Sequence, residues 1–324
     1  MALDCNEGMK SEACRLKAAV VGGGHFGKYH VEKWARHPEV DLIAVVDPDL
    51  EAGEALVGKW GGVALSGVEK LPDDLECVSI ATPAGTHGEL MNYFLNRGVH
   101  VLVEKPIATD LEIARKGVQL ADEKNRVLQV NHQERFFLEE AGLPGVGLGA
   151  IHSIEVNRLG PPPVNLPDCS VVLDLMIHDL DWVHAFFPGE RFAVEVSEKR
   201  VRDTGFPEAV TAELKTGSGA RIKLRASRDH PERRRDAFIE CEGGRYSIDF
   251  IKREILGDES EHRKHREDLY GKHPFDKSDF VGKSIAHFIT CIIKKRKPLV
   301  DGASGLRALE TALAIEAASL SLIT

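Results

Sequence analysis

From Leu16 to Val130 short apolar runs alternate with helical patterns. Leu16–Val21 (LKAAVV) ends at glycine and reads as a buried strand. Phe26, His30 and Trp34 then recur at helical spacing, and Leu42–Val46 is the next apolar run. Leu50–Trp60 reads as a helix and Gly62–Leu65 as a short strand. Cys77–Ala81 (CVSIA) is a buried strand, and Glu89–Arg97 is a helix with Gly98 as its C-cap. His100–Val103 is the following strand, Asp110 caps a helix running through Lys124, and Val127–Val130 closes the series. This alternation predicts a parallel sheet with helices on both faces.

Beyond Asn131 the pattern changes. Ala150–Val156 reads as a strand, and Ser170–Phe187 as a strongly apolar helix stopped by Pro188-Gly189. Glu208–Lys215 and Ala220–Ala226 flank Thr216-Gly217-Ser218-Gly219. Ala237–Cys241 and Arg245–Phe250 flank Glu242-Gly243-Gly244. Such hairpins predict an antiparallel sheet. Val281, Ile285, Phe288 and Ile292 form a helical stripe, and Leu306–Leu322 is a last helix.

The first strand leads into Gly22-Gly23-Gly24-His25-Phe26-Gly27, and Asp47 stands at the end of the second. Gly22 lets the chain turn sharply, Gly24 lets a pyrophosphate approach the backbone, and Gly27 lets helix and strand pack closely. The helix N-terminus offers free N–H groups to phosphates. Asp47 suits a ribose diol and would repel a 2′-phosphate; Pro48, Asp49 and Leu50 supply no cation to reverse that preference. Strand, turn, helix, strand and acid in this order predict a Rossmann domain that binds NAD. The predicted fold class is α/β. A flexible extension at 1–15 precedes a Rossmann domain at 16–132. An α+β domain with a mostly antiparallel sheet follows at 133–324.

Ligands on a parallel sheet sit beyond the carboxyl ends of its strands. Asp47, Thr82, Lys105 and Asn131 all lie at such ends and are expected to converge. Lys105, between Glu104 and Pro106, is a candidate to orient a substrate hydroxyl and stabilise alkoxide character. On the apolar helix Asp174 and His178 are four apart and are expected to share a face. A carboxylate beside an imidazole makes a candidate general base, and Asp181 is placed to touch the same ring. A structural Asp–His tie between helix and sheet would look the same.

Composition narrows the classes. The chain has 324 residues, 43% hydrophobic and 29% charged, with a net charge of −9. Those values suit a soluble two-domain protein and argue against nucleic acid as partner. No apolar run reaches membrane-spanning length, and residues 1–15 lack the apolar core of a secretory signal. Six cysteines without a CxxC pair suggest a reduced, cytoplasmic protein. The run Arg221, Lys223, Arg225, Arg228, Arg233, Arg234 and Arg235 reads as an interface or a solvated face, with a substrate pyrophosphate as the alternative. Arg135 and Arg158, next to strand ends, are better placed for a substrate phosphate. His262, His265 and His273 lack clean ligand spacing, so no metal is expected.

VGGGHFG (Val21 to Gly27), VVDPD (Val45 to Asp49), ATPAGTH (Ala81 to His87), VEKP (Val103 to Pro106) and DLMIHDLD (Asp174 to Asp181) together resemble the Gfo/Idh/MocA family of NAD(P)-dependent sugar and polyol oxidoreductases. The resemblance covers nearly the whole chain. It implies that Lys105 and His178 are catalytic, and that Asp174 positions substrate or histidine. It also implies cofactor contacts from Gly22, Gly24, His25, Phe26, Gly27, Asp47, Thr82, Pro83, His87, Glu104 and Lys105. Substrate contacts are expected from Asn131, Arg135, Arg158, Asp174 and His178. DLMIHDLD, the Asn131–Phe136 segment and Ala226-Ser227-Arg228 are similar to enzymes that oxidise the 3-hydroxyl of UDP-N-acetylglucosamine or a related nucleotide sugar. Departures at Gln133–Phe137 and Pro161–Pro163 bear on the substrate. A dehydrogenase of a free sugar or of a polyol such as inositol, or a non-catalytic NAD sensor, are the alternatives. The resemblance further implies a homodimer or homotetramer built through the C-terminal sheet.

Overall fold

The computed structural model describes residues 15–143, 148–163, 169–201, 205–257, 276 and 278–321. The N-terminal extension through residue 14 and the His262–His273 segment lie outside them.

Strands β1 (Leu16–Val21), β2 (Val40–Val46), β3 (Val63–Leu65), β4 (Cys77–Ile80), β5 (His100–Val103) and β6 (Leu128–Val130) form a parallel sheet in the order β3-β2-β1-β4-β5-β6. The order reverses between β1 and β4, where a doubly wound sheet opens a crevice. Helices α1 (His25–Arg36), α2 (Leu50–Trp60), α3 (Ala84–Asn96) and α4 (Leu111–Glu123) connect the strands. Asp49 and Asp110 cap α2 and α4 through side-chain bonds to backbone N–H groups. Helix α3 starts at Ala84, earlier than its glycines suggest. Pro83 sets the entry angle, and the Thr86 hydroxyl donates back to the Pro83 carbonyl at 2.8 Å.

The second sheet holds β7 (Ile151–Leu159), β8 (Ala193–Val201), β9 (Pro207–Lys215), β10 (Arg221–Ser227), β11 (Arg234–Cys241), β12 (Gly244–Asp249) and β13 (Glu254–Gly257). Their order is β13-β12-β11-β7-β10-β9-β8, antiparallel except where β10 meets β7. One face buries Val156, Ile222, Leu224, Ala237 and Ile239. On the other face Glu155, Phe238, Ser247 and Leu256 line up across four strands. There Phe238 is 47% and Leu256 68% exposed.

Helix α5 (Gln133–Glu140) follows β6 directly and was not evident from the sequence pattern. The apolar helix is two pieces. Val172–Met176 winds as a wider π-helical turn, and α6 (Ile177–Phe186) continues from it. Helices α7 (Phe280–Ile293) and α8 (Gly302–Leu320) return to the first sheet. Ile285, Phe288 and Ile289 pack with Val31 and Trp34, and the Trp34 and Phe288 rings meet edge to face. Truncating Phe288 to alanine there should cost ~3–5 kcal/mol. A Cβ on Gly305 would fall 2.5 Å from the Val130 side chain, so α8 lies hard against β6. The C-terminal elements thus brace the sheet that carries the crevice. Among the described residues no helix is long and apolar enough to cross a membrane.

Candidate active site

The glycine turn leaves β1 with Gly22 at φ 101°. A Cβ there would fall 2.4 Å from the Ala81 carbonyl oxygen, and one on Gly27 would fall 1.9 Å from the Gly22 carbonyl oxygen. Both positions exclude a side chain, so α1 and β4 close tightly on the turn. Around Gly24 the space is open. Helix α1 has no side-chain cap and no acid in its first turn, unlike the aspartate-capped α2 and α4. Its N–H groups are therefore available to an anion. Asp47 accepts from Gly23 N at 2.6 Å and Asp49 N at 2.8 Å, which ties the acid to the turn. These features fit a dinucleotide with an unmodified ribose. His25 and Phe26 stand exposed at the mouth, edge to face.

A cavity of about 220 Å³ opens beside the turn, walled in part by Phe26, Thr82, Pro83, Lys105, Leu173 and Asp174. A larger cleft of about 560 Å³, bordered by His100, Arg126 and Lys295, lies at the amino ends of β5 and β6. It contains none of the crevice residues. The crevice floor is a buried polar network. His30 bridges the Ser79 hydroxyl at 2.6 Å and Glu104 Oε1 at 2.8 Å. Asn131 Nδ2 donates to the same Glu104 oxygen at 2.5 Å. Burial would raise the Glu104 carboxyl, but His30, Asn131 and Lys105 outweigh it and bring it down to about 2. His87 lies between the Pro106 and Thr82 carbonyls, each 2.7 Å away. Glu104 and His87 also line the cavity, and Asn131 stands behind Glu104.

Lys105 Nζ donates to the Asp174 carbonyl at 2.8 Å and to Asp174 Oδ1 at 3.0 Å. On the other side Arg228 Nη1 donates to Asp174 Oδ2 at 3.3 Å. Burial pushes the Asp174 carboxyl up, but Lys105 and Arg228 prevail and hold it below the ordinary range. Arg228 is itself fixed by Glu208, at 3.0 and 3.1 Å, and by the Cys169 carbonyl at 3.0 Å.

His178 does not pair with Asp174. His178 lies in α6, just past the π-helical turn that holds Asp174. Its Nδ1 instead lies 2.8 Å from Glu134 Oε2, on α5. An ionised carboxylate only accepts, so Nδ1 carries the proton and Nε2 keeps its lone pair. Burial raises the Glu134 carboxyl, but His178 and Arg158 overcome this and set it well below its usual range. His132 is fully buried, edge to face with His178, and neither ring nitrogen has a hydrogen-bond partner among the described residues. Burial chiefly, with His178 and Lys105 adding to it, lowers its pKa to about 4.

Two arginines expected at a substrate phosphate are placed elsewhere. Arg158 is 2% exposed and bonds both Asp179 oxygens, at 2.7 and 2.8 Å, and Glu134 at 2.9 Å. Arg135 is buried against Asp181 and the Leu299 carbonyl. Asp181 therefore serves Arg135 and not His178. The basic run divides. Lys223 and Arg225 pair with Glu213 and Glu155 across the sheet, whereas Arg228 enters the crevice. Glu134, which the sequence did not single out, and Arg228, which it grouped with an interface or solvated run, are brought by the fold to His178 and Asp174. Among the described residues no group of three His, Cys, Asp or Glu could hold a metal ion. The four described cysteines, Cys77, Cys169, Cys241 and Cys291, are buried thiols.

The profile of the Gfo/Idh/MocA oxidoreductase family, NAD-binding Rossmann fold, matches residues 16–132. The Gfo/Idh/MocA C-terminal domain matches residues 147–247. The chain is 30% identical over 318 residues to UDP-N-acetylglucosamine 3-dehydrogenase of Acidithiobacillus ferrooxidans, covering 94% of this chain and 97% of that one. The solved structure of that enzyme superposes with a TM-score of 0.82, covering 94% and 97% of the two chains. Inositol 2-dehydrogenase of Rhizobium meliloti is 26% identical over 227 residues, 66% of this chain and 69% of that protein. The WlbA dehydrogenase of Bordetella pertussis, solved with NADH and UDP-GlcNAcA, shares the fold at a TM-score of 0.80, with 20% identity over 95% and 98% of the two chains.

Proposed function

The chain belongs to the Gfo/Idh/MocA oxidoreductase family, and from that premise we propose that it oxidises the 3-hydroxyl of UDP-N-acetylglucosamine, or of a closely related nucleotide sugar, to the 3-keto sugar. The observation that supports the chemistry is Lys105 bound to Asp174 in the cavity beside the glycine turn, with the Glu134-held His178 near enough to act on the Asp174 charge. The substrate rests on the full-length likeness to a UDP-N-acetylglucosamine 3-dehydrogenase.

The Gly22–Gly27 turn and Asp47 would hold NAD, which would supply the hydride acceptor. His178 Nε2 takes the hydroxyl proton as the carbon–hydrogen bond breaks. Lys105 donates to the same oxygen and stabilises its developing negative charge. Asp174, held between Lys105 and Arg228, directs the ammonium and accepts from a neighbouring hydroxyl of the sugar. Glu134 fixes the orientation and tautomer of the histidine.

The test is NADH formation with UDP-N-acetylglucosamine, N-acetylglucosamine and myo-inositol. Turnover of the nucleotide sugar with little from the others is expected. Turnover of myo-inositol with none from UDP-sugars would replace this reading with that of a polyol dehydrogenase, the activity of a more distant relative. We also infer that the chain self-associates through the second sheet, which leaves Phe238 and Leu256 open to solvent.

A further inference from the structure

We propose that Arg235 receives the diphosphate of the substrate. This deepens the nucleotide-sugar reading and rests on it. Strands β11 and β7 run antiparallel with Arg235 directly opposite Arg158. Opposed residues point to the same face of a sheet. Arg158 points to α5 and α6, where it meets Glu134 and Asp179. Arg235 therefore lies on the catalytic face. Its neighbours have the opposite parity: Arg234 pairs with Asp236, and Asp236 accepts from Asn157 at 2.9 Å.

Arg235 is half-buried, yet its guanidinium makes no hydrogen bond or ion pair among the described residues. Nearby carboxylates are already engaged. Glu134 is held by His178 and Arg158, and both oxygens of Asp179 by Arg158. Burial first, then Arg158 and Arg233, act against its charge. A guanidinium does not escape by losing its proton, so a counter-anion is the remaining relief.

A diphosphate suits this place. It brings negative charge and oxygens spaced for a bidentate guanidinium. Arg233, two residues earlier and exposed, extends the cation toward solvent. The site is also joined to the proposed base: His178 touches Glu134, Glu134 touches Arg158, and Arg158 faces Arg235. A neutral polyol would leave Arg235 uncompensated.

The experiment titrates UDP alone into the NAD-loaded enzyme by calorimetry, for wild type, Arg235→Ala, Arg235→Lys and Lys223→Ala. Circular dichroism and NAD affinity control for folding. Arg235→Ala should weaken UDP about 10- to 100-fold, with the lysine variant between. Lys223→Ala, on the outer face, should match wild type. In turnover, KM for the nucleotide sugar should rise by the same factor with kcat nearly constant. Equal UDP affinity in wild type and Arg235→Ala would overturn this assignment and leave the nucleotide-sugar reading standing. A loss confined to kcat would make Arg235 a packing element around Glu134 and also overturn it. A wild-type enzyme that ignores UDP and oxidises a neutral polyol would sink the nucleotide-sugar reading itself, and this assignment with it.

Discussion

Glu134→Gln is the sharpest test of the proposed proton path, because it changes charge and hydrogen-bond sense while nearly preserving shape. In the wild type both carboxylate oxygens accept, one from His178 Nδ1 at 2.8 Å and one from Arg158 Nη1 at 2.9 Å. A glutamine has one accepting oxygen. Arg158 can only donate, so the amide oxygen must face it. The amide NH₂ then faces Nδ1, which has to accept. The ring proton moves to Nε2, and the lone pair that would receive the substrate proton is lost. A mispositioned acid–base group forfeits ~10²–10⁴ in rate, so kcat should fall by that factor. The assay is initial-rate NADH formation at saturating NAD and nucleotide sugar. NAD affinity should not change, since the Glu134 carboxylate is engaged by His178 and Arg158 and does not line the cavity beside the glycine turn. Breaking a buried ion pair can cost ~3–5 kcal/mol, so thermal unfolding must show the variant folded at the assay temperature. A folded Glu134→Gln enzyme with wild-type kcat would refute the reasoning and return the His178–Glu134 pair to a purely structural role.

Asp47→Ser should narrow the preference for NAD over NADP by about 10- to 100-fold, read as the ratio of kcat/KM for the two cofactors; an unchanged ratio would show that Asp47 does not read the ribose. Acid should unfold the protein early, for a reason whose sign is fixed. Burial lowers His100, His132 and His184 from 6.5 to about 4, so below 6.5 the unfolded chain takes up protons that the folded one refuses. Stability then falls by up to ~1.4 kcal/mol per pH unit for each ring, and Glu104 adds its own loss between 4.5 and about 2. Urea midpoints from pH 7 down to 4 measure this, and His184→Gln should flatten the slope; identical slopes would remove His184 from the account. Phe238→Lys with Leu256→Lys should shift the sedimentation of the assembled protein to that of the monomer without lowering NAD binding, whereas unchanged sedimentation would move the interface off that face.

The parts of this site that were legible in the sequence are those whose constraint is local. A turn that admits no Cβ at Gly22 or Gly27 must be spelled in glycine, and a helix left to hold phosphates must lack a capping aspartate. Lys105 was legible for the same reason, since its place at a strand end follows from the strand alone. What the pattern did not report was which distant carboxylate or cation each of these side chains takes as its partner. Asp174 and His178 looked like a pair because they lie four apart, yet each is held by a side chain from another element. Their real partners come from 54 residues later, in Arg228, and from 44 residues earlier, in Glu134. Arg135 and Arg158 sit near strand ends, as the pattern implied. The carboxylates of Asp179 and Asp181 that consume them belong to a helix whose approach no local pattern reports. Arg235 is the intermediate case. Ala237 and Ile239 are core residues, so alternation along β11 turns 235 inward and 234 and 236 outward, which was readable from the run itself. That Arg158 would stand opposite it, already supplied with every nearby carboxylate, follows only from the pairing of β11 with β7. It is this pairing that makes an inward arginine a receptor for a ligand's charge.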